Sequence, residues 1–234
     1  MSYNNSPVND IKLNEHIDKI LETRKRPIFN FREVSEAEVC KVVKSLKSNA
    51  TGVDGISARY LIMSIDVIAP VLTHIINCSF EHRWFPDRWK HALIKPIPKN
   101  DDPTSPSDFR PISLLPAISK VSEKIACSQM CDFFKGDYDL DKLQSAYKKF
   151  HSTNTALLNI TDDIYKSLDK SQITILILLD YSKAFDCANH RLILAKLKAA
   201  GFQDDALSWI LSYLQDRKQK VKTDFGESRW VTIK

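Results

Sequence analysis

No stretch of this 234-residue sequence is apolar over the roughly 20 residues that a helix needs to cross a bilayer, which argues against a membrane partner. Met1 to Asp10 is polar, and the apolar residues after it are spaced instead of clustered, so no secretory leader is expected. The five cysteines (Cys40, Cys78, Cys127, Cys131 and Cys187) are odd in number and scattered. They exclude a disulfide framework and read as reduced thiols of an intracellular, nuclear or cytoplasmic protein. No internal repeat is present, which excludes a solenoid. Glycine is scarce, and two of the five glycines fall within Gly52–Gly55, where the backbone is expected to adopt dihedrals closed to other residues.

What is present suits a globular chain of one domain or one and a half, with 43% hydrophobic and 27% charged residues. The net charge of +5 is compatible with a polyanionic partner. Arg24–Arg26 form one basic cluster, Lys90, Lys95 and Lys99 a second, and Arg217, Lys218, Lys220 and Lys222 a third. Each cluster could neutralise backbone phosphates, and each could equally be a solvated face.

Leu13, Ile17, Ile20 and Leu21 recur at helical spacing ahead of Pro27. Ser35 with Glu38 forms a capping-box pattern before Val39, Val42, Val43 and Leu46, marking a helix. A longer helix is predicted from Ser64 to Arg83, with Val67, Ile68, Val71, Leu72, Ile75, Ile76 and Phe80 inward and Pro70 confined to the first turn. His74, Cys78 and His82 would stack on one face of it, one ligand short of the four that a closed zinc site takes. Six of the ten prolines lie between Trp84 and Pro116, so extended backbone is expected there, with a strand or hairpin arm at Leu93, Ile94 and Ile97 and a polar loop over 100–108. Helical spacing resumes near Ile118–Ile125, from Ser152 through Ile164, over Leu192–Ala200 up to Gly201, and around Leu207–Leu214. The last segment is basic and strand-prone, turning at Phe225 and Gly226.

The nearly unbroken apolar run Ile173–Leu179 is the strongest strand signal, predicted to lie centrally in a sheet and to end at Asp180. A carboxylate there is fixed at the rim of a rigid element, where metal-binding groups of a catalytic site are held. The same placement also suits a cap for a helix beginning near Ser182. Asp186 follows six residues later and is equally suited to a turn. Phosphoryl transfer needs two divalent ions bridged by hard oxygen ligands, and one aspartate cannot build that site.

The segment Leu178-Leu-Asp180-Tyr-Ser-Lys-Ala-Phe-Asp186 resembles the first catalytic motif of reverse transcriptases from non-LTR (LINE-type) retrotransposons. Gly52–Ile56, Trp89 through Pro96-Ile-Pro-Lys99, Phe109–Leu114, Lys120 with Glu123, and Gln144–Thr153 resemble successive blocks of that family in the same order. The resemblance implies an α+β fold, largely helical with a small sheet: the fingers and an incomplete palm of a right-hand polymerase. It divides the chain into a helical extension over 1–34, fingers over 35–158, and a partial palm over 159–234. It implies RNA-directed DNA synthesis with Mg2+, an RNA template, a DNA primer and deoxynucleoside triphosphates. Asp180 and the Tyr181 carbonyl would be metal ligands. Phe185 would be the steric gate and, with Ala184, would contact the nucleotide. Arg110 and Lys95 or Lys99 would hold the triphosphate or template. Ala146 and Lys148 stand where the family favours glycine and arginine. The Gly/Gln-rich block and the paired-aspartate turn that follow in the family do not occur in this sequence. The chain by itself is therefore expected to be inactive, and the alternative is a non-catalytic nucleic-acid-binding remnant.

Overall fold

The computed structural model describes residues 15, 27–47, 49–134, 144–181 and 188–233. The helix expected at Leu13–Leu21 and the cluster Arg24–Arg26 lie outside them, Glu15 excepted. The chain forms two compact units, one from 1–132 with 189–234 and the other from 133–188.

The first unit begins with α1 (Glu36–Lys44), whose start follows the predicted capping box. The Glu38 N–H donates to Ser35 Oγ at 3.3 Å, and Glu38 Oε2 accepts from the Ser35 N–H at 2.9 Å. Arg32 grips the same carboxylate, Nη2 to Oε1 at 2.5 Å, and this contact, followed by the Ser35 backbone bond, holds the Glu38 carboxyl down to about 2. Between α1 and the next helix the chain turns at Gly52–Ile56, where the Gly55 N–H reaches Gly52 O at 3.2 Å and Asp54 Oδ1 accepts from the Ile56 N–H at 3.1 Å. Gly52 is required by proximity: a Cβ there would lie 2.4 Å from Pro116 N and 2.6 Å from Leu115 C. Gly55 is required by dihedral, at φ +69° with open space around it.

The long helix α2 (Ala58–Glu81) starts a turn and a half earlier than predicted and carries Pro70 in its interior. Its inward stripe is Leu61, Ile65, Ala69, Leu72, Ile76 and Phe80, at the three- and four-residue steps of one helical face. Leu72, Ile76 and Phe80 were foreseen. Val67, Val71 and Ile75 instead face solvent, Val67 being 81% exposed. Tertiary packing of the buried stripe outweighs the lost hydrogen bond at Pro70, and the neighbouring elements cover that stripe and not the one bearing Val67, Val71 and Ile75. By length and composition α2 could cross a bilayer, which the search for continuous apolar runs did not anticipate. Its inward stripe packs in the core of this unit.

A short 3-10 turn (Asp87–Lys90) leads into β1 (His91–Pro98), which pairs antiparallel with β2 (Phe109–Leu114) as the expected hairpin. Pro96 lies directly opposite Pro111, and because neither has an N–H to exchange, the pair is of the non-hydrogen-bonded type. The missing N–H of Pro96 then faces the other edge of β1, and the parallel pairing of β1 with β3 (Lys218–Thr223) stops at Ile94. On the far side of β3 lie β4 (Gly226–Glu227) and β5 (Val231–Thr232), both antiparallel to it. The mixed sheet is accompanied by α3 (Ala117–Phe134), α5 (His190–Ala199), ended by Gly201 at φ +106°, and α6 (Asp204–Leu214).

The core of this unit is an aromatic cluster. Trp209 lies 4.8 Å from Phe31, 5.2 Å from Phe80 and 5.4 Å from Phe85, centroid to centroid. Its Nε1–H donates to Ser79 Oγ at 2.9 Å, and that hydroxyl donates to Trp84 O at 2.7 Å. Phe29 bridges the α5–α6 turn through Phe29 N–H to Gly201 O at 2.9 Å and Gln203 N–H to Phe29 O at 3.0 Å.

In the second unit, α4 (Thr153–Asp169) is capped by Ser152, whose Oγ accepts from the Thr155 N–H, and it buries no residue. The run Ile173–Leu179, predicted as a buried central strand, is neither buried nor a strand. Ile173, Leu178 and Leu179 are 93%, 80% and 89% exposed. A strand needs lateral partners for its amides and cover for both faces, and among the described residues no strand pairs with this run.

Gly52→Ala is expected to lose about 2–4 kcal/mol in urea denaturation because rigid backbone occupies the Cβ site. Gly55→Ala is expected to lose only about 1–2 kcal/mol, the cost of a left-handed dihedral. Equal losses would contradict the assignment. For Glu38, the folded state holds the acid ionised, so its contribution is fully present above its ordinary 4.5 and disappears as pH falls toward about 2. The stability gap between the native chain and Glu38→Gln should be about 1 kcal/mol at neutral pH, kept small by solvent exposure, and should close on acidification through that window. A gap unchanged between about pH 6 and pH 3 would refute it.

Candidate functional site

Residues paired directly across a ladder share a face, so the strand registers fix which side chains stand together. Lys95 pairs with Ile112, Ile97 with Arg110, Leu93 with both Leu114 and Lys220, and His91 with Lys218. Lys95, Arg110, Lys218, Lys220 and Lys222 therefore occupy one face of the mixed sheet. Two of the residues singled out from the sequence, Lys95 and Arg110, are thus brought together on adjacent strands, with the third basic cluster on the same face. Both are exposed, and among the described residues neither head group has an ion pair or hydrogen bond. Lys218 is likewise exposed and unpaired.

The other cations are used internally. Lys99 Nζ donates to Ser107 O at 2.6 Å and so ties down the hairpin loop. Lys90, counted in the second basic cluster, is only 3% exposed and pairs with Asp87 at 3.0 Å. Lys220 and Lys222 both engage Glu227, and the Lys220 ammonium lies 5.2 Å over the Trp230 ring. His91 sits 5.2 Å from the same ring, and burial, then Lys218, pushes its imidazole below its ordinary value.

Arg217 anchors the start of β3. Its Nη1 donates to Tyr213 O at 2.9 Å, its guanidinium lies 4.7 Å over the Tyr213 ring, and its Nη2 is 4.0 Å from Glu123 Oε1. Burial raises the Glu123 carboxyl above its ordinary range, with Arg217 opposing it. Burial and then Glu123 push the Tyr213 phenol up to about 12. Glu123 and Lys120 also line an open cleft of about 540 Å³ beside Lys47 and Lys124, where α3 meets the end of α1.

In the second unit, Asp180 and Tyr181 are exposed on the irregular segment that follows α4. The expectation that Asp180 is held at the rim of a buried strand is not met. Among the described residues its carboxylate has no partner, and in particular it caps no described amide. Ala184, Phe185 and Asp186 lie outside the described residues. The sequence reading overlooked Tyr147 and Phe150. Both have a left-handed backbone, φ 61° and 64°, and expose nearly the whole ring. Non-glycine residues with such dihedrals in a basic segment were the structural cue, and nothing in the residue pattern announces them.

Residues 97–232 match the family profile described as "Reverse transcriptase (RNA-dependent DNA polymerase)". The chain is 28% identical over 86% of its length to a "Probable RNA-directed DNA polymerase from transposon BS" of Drosophila melanogaster, covering 22% of that protein. It is 25% identical over 95% of its length to the "RNA-directed DNA polymerase from mobile element jockey" of Drosophila melanogaster, covering 24% of it. It is also 22% identical over 87% of its length to the "Retrovirus-related Pol polyprotein from type-1 retrotransposable element R2" of Popillia japonica, covering 28% of it. The chain thus spans about a quarter of the length of the curated relatives it matches.

Proposed function

The chain belongs to the reverse transcriptase (RNA-dependent DNA polymerase) family, and from that premise we propose that it forms the fingers and part of the palm of a non-LTR retrotransposon polymerase. The observation that carries the reading is the sheet face on which Lys95, Arg110 and Lys218 stand with their charges unpaired. Such a face attracts the phosphates of an RNA template, a DNA primer or an incoming deoxynucleoside triphosphate. Arg110 provides a planar fork for bidentate contact and Lys95 a point charge. Lys99 acts through the hairpin it ties down. Tyr147 and Phe150 offer exposed rings on which bases can stack. In this reading the fingers cover 35–158 and the partial palm 159–234.

Asp180 fits a magnesium ligand by chemistry: its carboxylate is exposed and has no described partner. The Tyr181 carbonyl lies outside any sheet ladder and is a second hard oxygen. Two ions need more carboxylates than this, so the donor set among the described residues is incomplete. When bound, Mg2+ would align the attacking hydroxyl and neutralise the leaving pyrophosphate. In this reading Ala184 and Phe185, outside the described residues, would contact the nucleotide, with Phe185 selecting against a 2′-hydroxyl. A non-catalytic nucleic-acid-binding role is the second reading, favoured by the exposure of the segment bearing Asp180.

Binding of an RNA–DNA primer–template by the chain should weaken with salt. Lys95→Ala and Arg110→Ala should each reduce the log–log salt slope by about 1, while Asp180→Ala leaves binding intact. An unchanged slope in the double variant would sink the proposal for this face. The isolated chain is expected to give no primer extension with magnesium. Incorporation that Asp180→Ala abolishes would overturn that expectation and decide against the purely binding role.

A further inference from the structure

At the end of α2, three metal-binding side chains meet that nucleotide chemistry leaves unused. Cys78, Glu81 and His82 stand three and four residues apart on one helical face, and their ligand atoms all lie within 4.8 Å of one another. From the sequence alone His74, Cys78 and His82 stack on one face and fall one ligand short of a closed zinc site. The fold replaces His74 with Glu81 in the trio and leaves His74 on the other side of the sulfur, its Nε2 3.5 Å from Cys78 Sγ.

Several features suit these groups to a cation. The His82 ring meets Cys78 O through Nδ1 at 3.0 Å, a contact that requires Nδ1–H to donate and leaves the Nε2 lone pair bare. Glu81 has no ion pair among the described residues. The final turn of α2 carries no basic residue, so no side-chain cation within it opposes a bound metal ion. Glu81 and His82 are exposed and Cys78 is half-buried, so small rotamer changes can close the trio to the roughly 3.3–3.7 Å donor separations of a tetrahedral zinc ion.

We propose that Cys78, Glu81 and His82 form a zinc(II) site, with His74 hydrogen bonded to the thiolate and a fourth coordination position open to water. The donor set selects the metal. A thiolate and an imidazole disfavour magnesium and calcium, and a carboxylate disfavours copper(I). On binding, the Cys78 S–H bond breaks, its proton passes to solvent, the sulfur–zinc bond forms, and no oxidation state changes. The trio sits on a helix that is already formed, so the metal caps the structure without being needed to fold it.

Cobalt(II) is the probe, added to the full chain carrying Cys127→Ser and Cys131→Ser. That background removes a rival pair of sulfurs, 3.8 Å apart on α3. One equivalent should produce a sulfur-to-cobalt charge-transfer band that zinc displaces and magnesium does not. Cys78→Ser should abolish the band, and Glu81→Gln and His82→Ala should each weaken zinc binding at least about tenfold. Circular dichroism checks that every variant keeps its helices. No band with cobalt in excess, a band that survives Cys78→Ser, or an affinity unmoved by both other substitutions would overturn the site. None of these readouts depends on polymerase activity, so the two proposals fail separately.

Discussion

The first unit depends on one interior contact: the Trp209 indole, wedged among Phe31, Phe80 and Phe85 and hydrogen bonded to Ser79. It joins the end of α2 to α6 across 130 residues of sequence. Aromatic contacts of this kind add about 0.5–1.5 kcal/mol each beyond burial, and closing so long a loop is affordable only with several made together. The consequence reaches the sheet. The segment after α2 becomes β1, the segment after α6 becomes β3, and docking the two helices delivers the strands side by side in parallel register. Lys218 joins Lys95 and Arg110 on one face only because of that docking, since β1 and β3 are more than a hundred residues apart in sequence.

Charge on this surface is divided by a simple rule. Cations near the buried framework are held by it: Lys90 on Asp87, and Arg217 between Tyr213 and Glu123. Removing an acceptor there would strand a desolvated charge. Lys220 and Lys222 share Glu227, and the exposed Lys99 is tied to Ser107 O, whereas Lys95, Arg110 and Lys218 have no partner among the described residues. Their free energy is lowered only by solvent or by an anion brought from outside, which makes an unpaired Lys95 or Arg110 a more informative sign of a polyanionic partner than the net charge.

Local chemistry made much of the fold legible. The Ser35–Glu38 box, the hairpin between prolines, the Gly201 stop and the final basic strands were all readable, because each depends on neighbours within a few residues. The inward face of α2 was misjudged because Val67, Val71 and Ile75 carry the same apolar character as Leu61, Ile65 and Leu72. Only the position of α1 and α6 decides which stripe is covered. Of the site, the residue types at Lys95 and Arg110 were visible, but the hairpin register that puts them on one face was not, nor the β1–β3 pairing that adds Lys218 from more than a hundred residues away. Glu81 was passed over because a lone carboxylate at a helix end has an ordinary role in solvent, and its nearness to Cys78 and His82 is visible only in three dimensions.

The run ending at Asp180 shows the same limit at its most severe. Seven residues with high strand propensity expose most of their apolar surface, forgoing roughly 1.5–3 kcal/mol for each large side chain that a neighbouring layer would cover. Propensity measures how well a residue suits a pleated, half-buried surface, and it supplies neither the surface nor the partners for its amides. The carboxylate inherits that condition. Held in a ladder, Asp180 would present its oxygens to a metal at a fixed position. On an exposed single segment the same side chain samples many rotamers, and any ion it meets must also bear the entropy of ordering it. The acidity of Asp180 is therefore written in the residue, while a fixed position for its carboxylate depends on strand pairing that the run cannot supply alone.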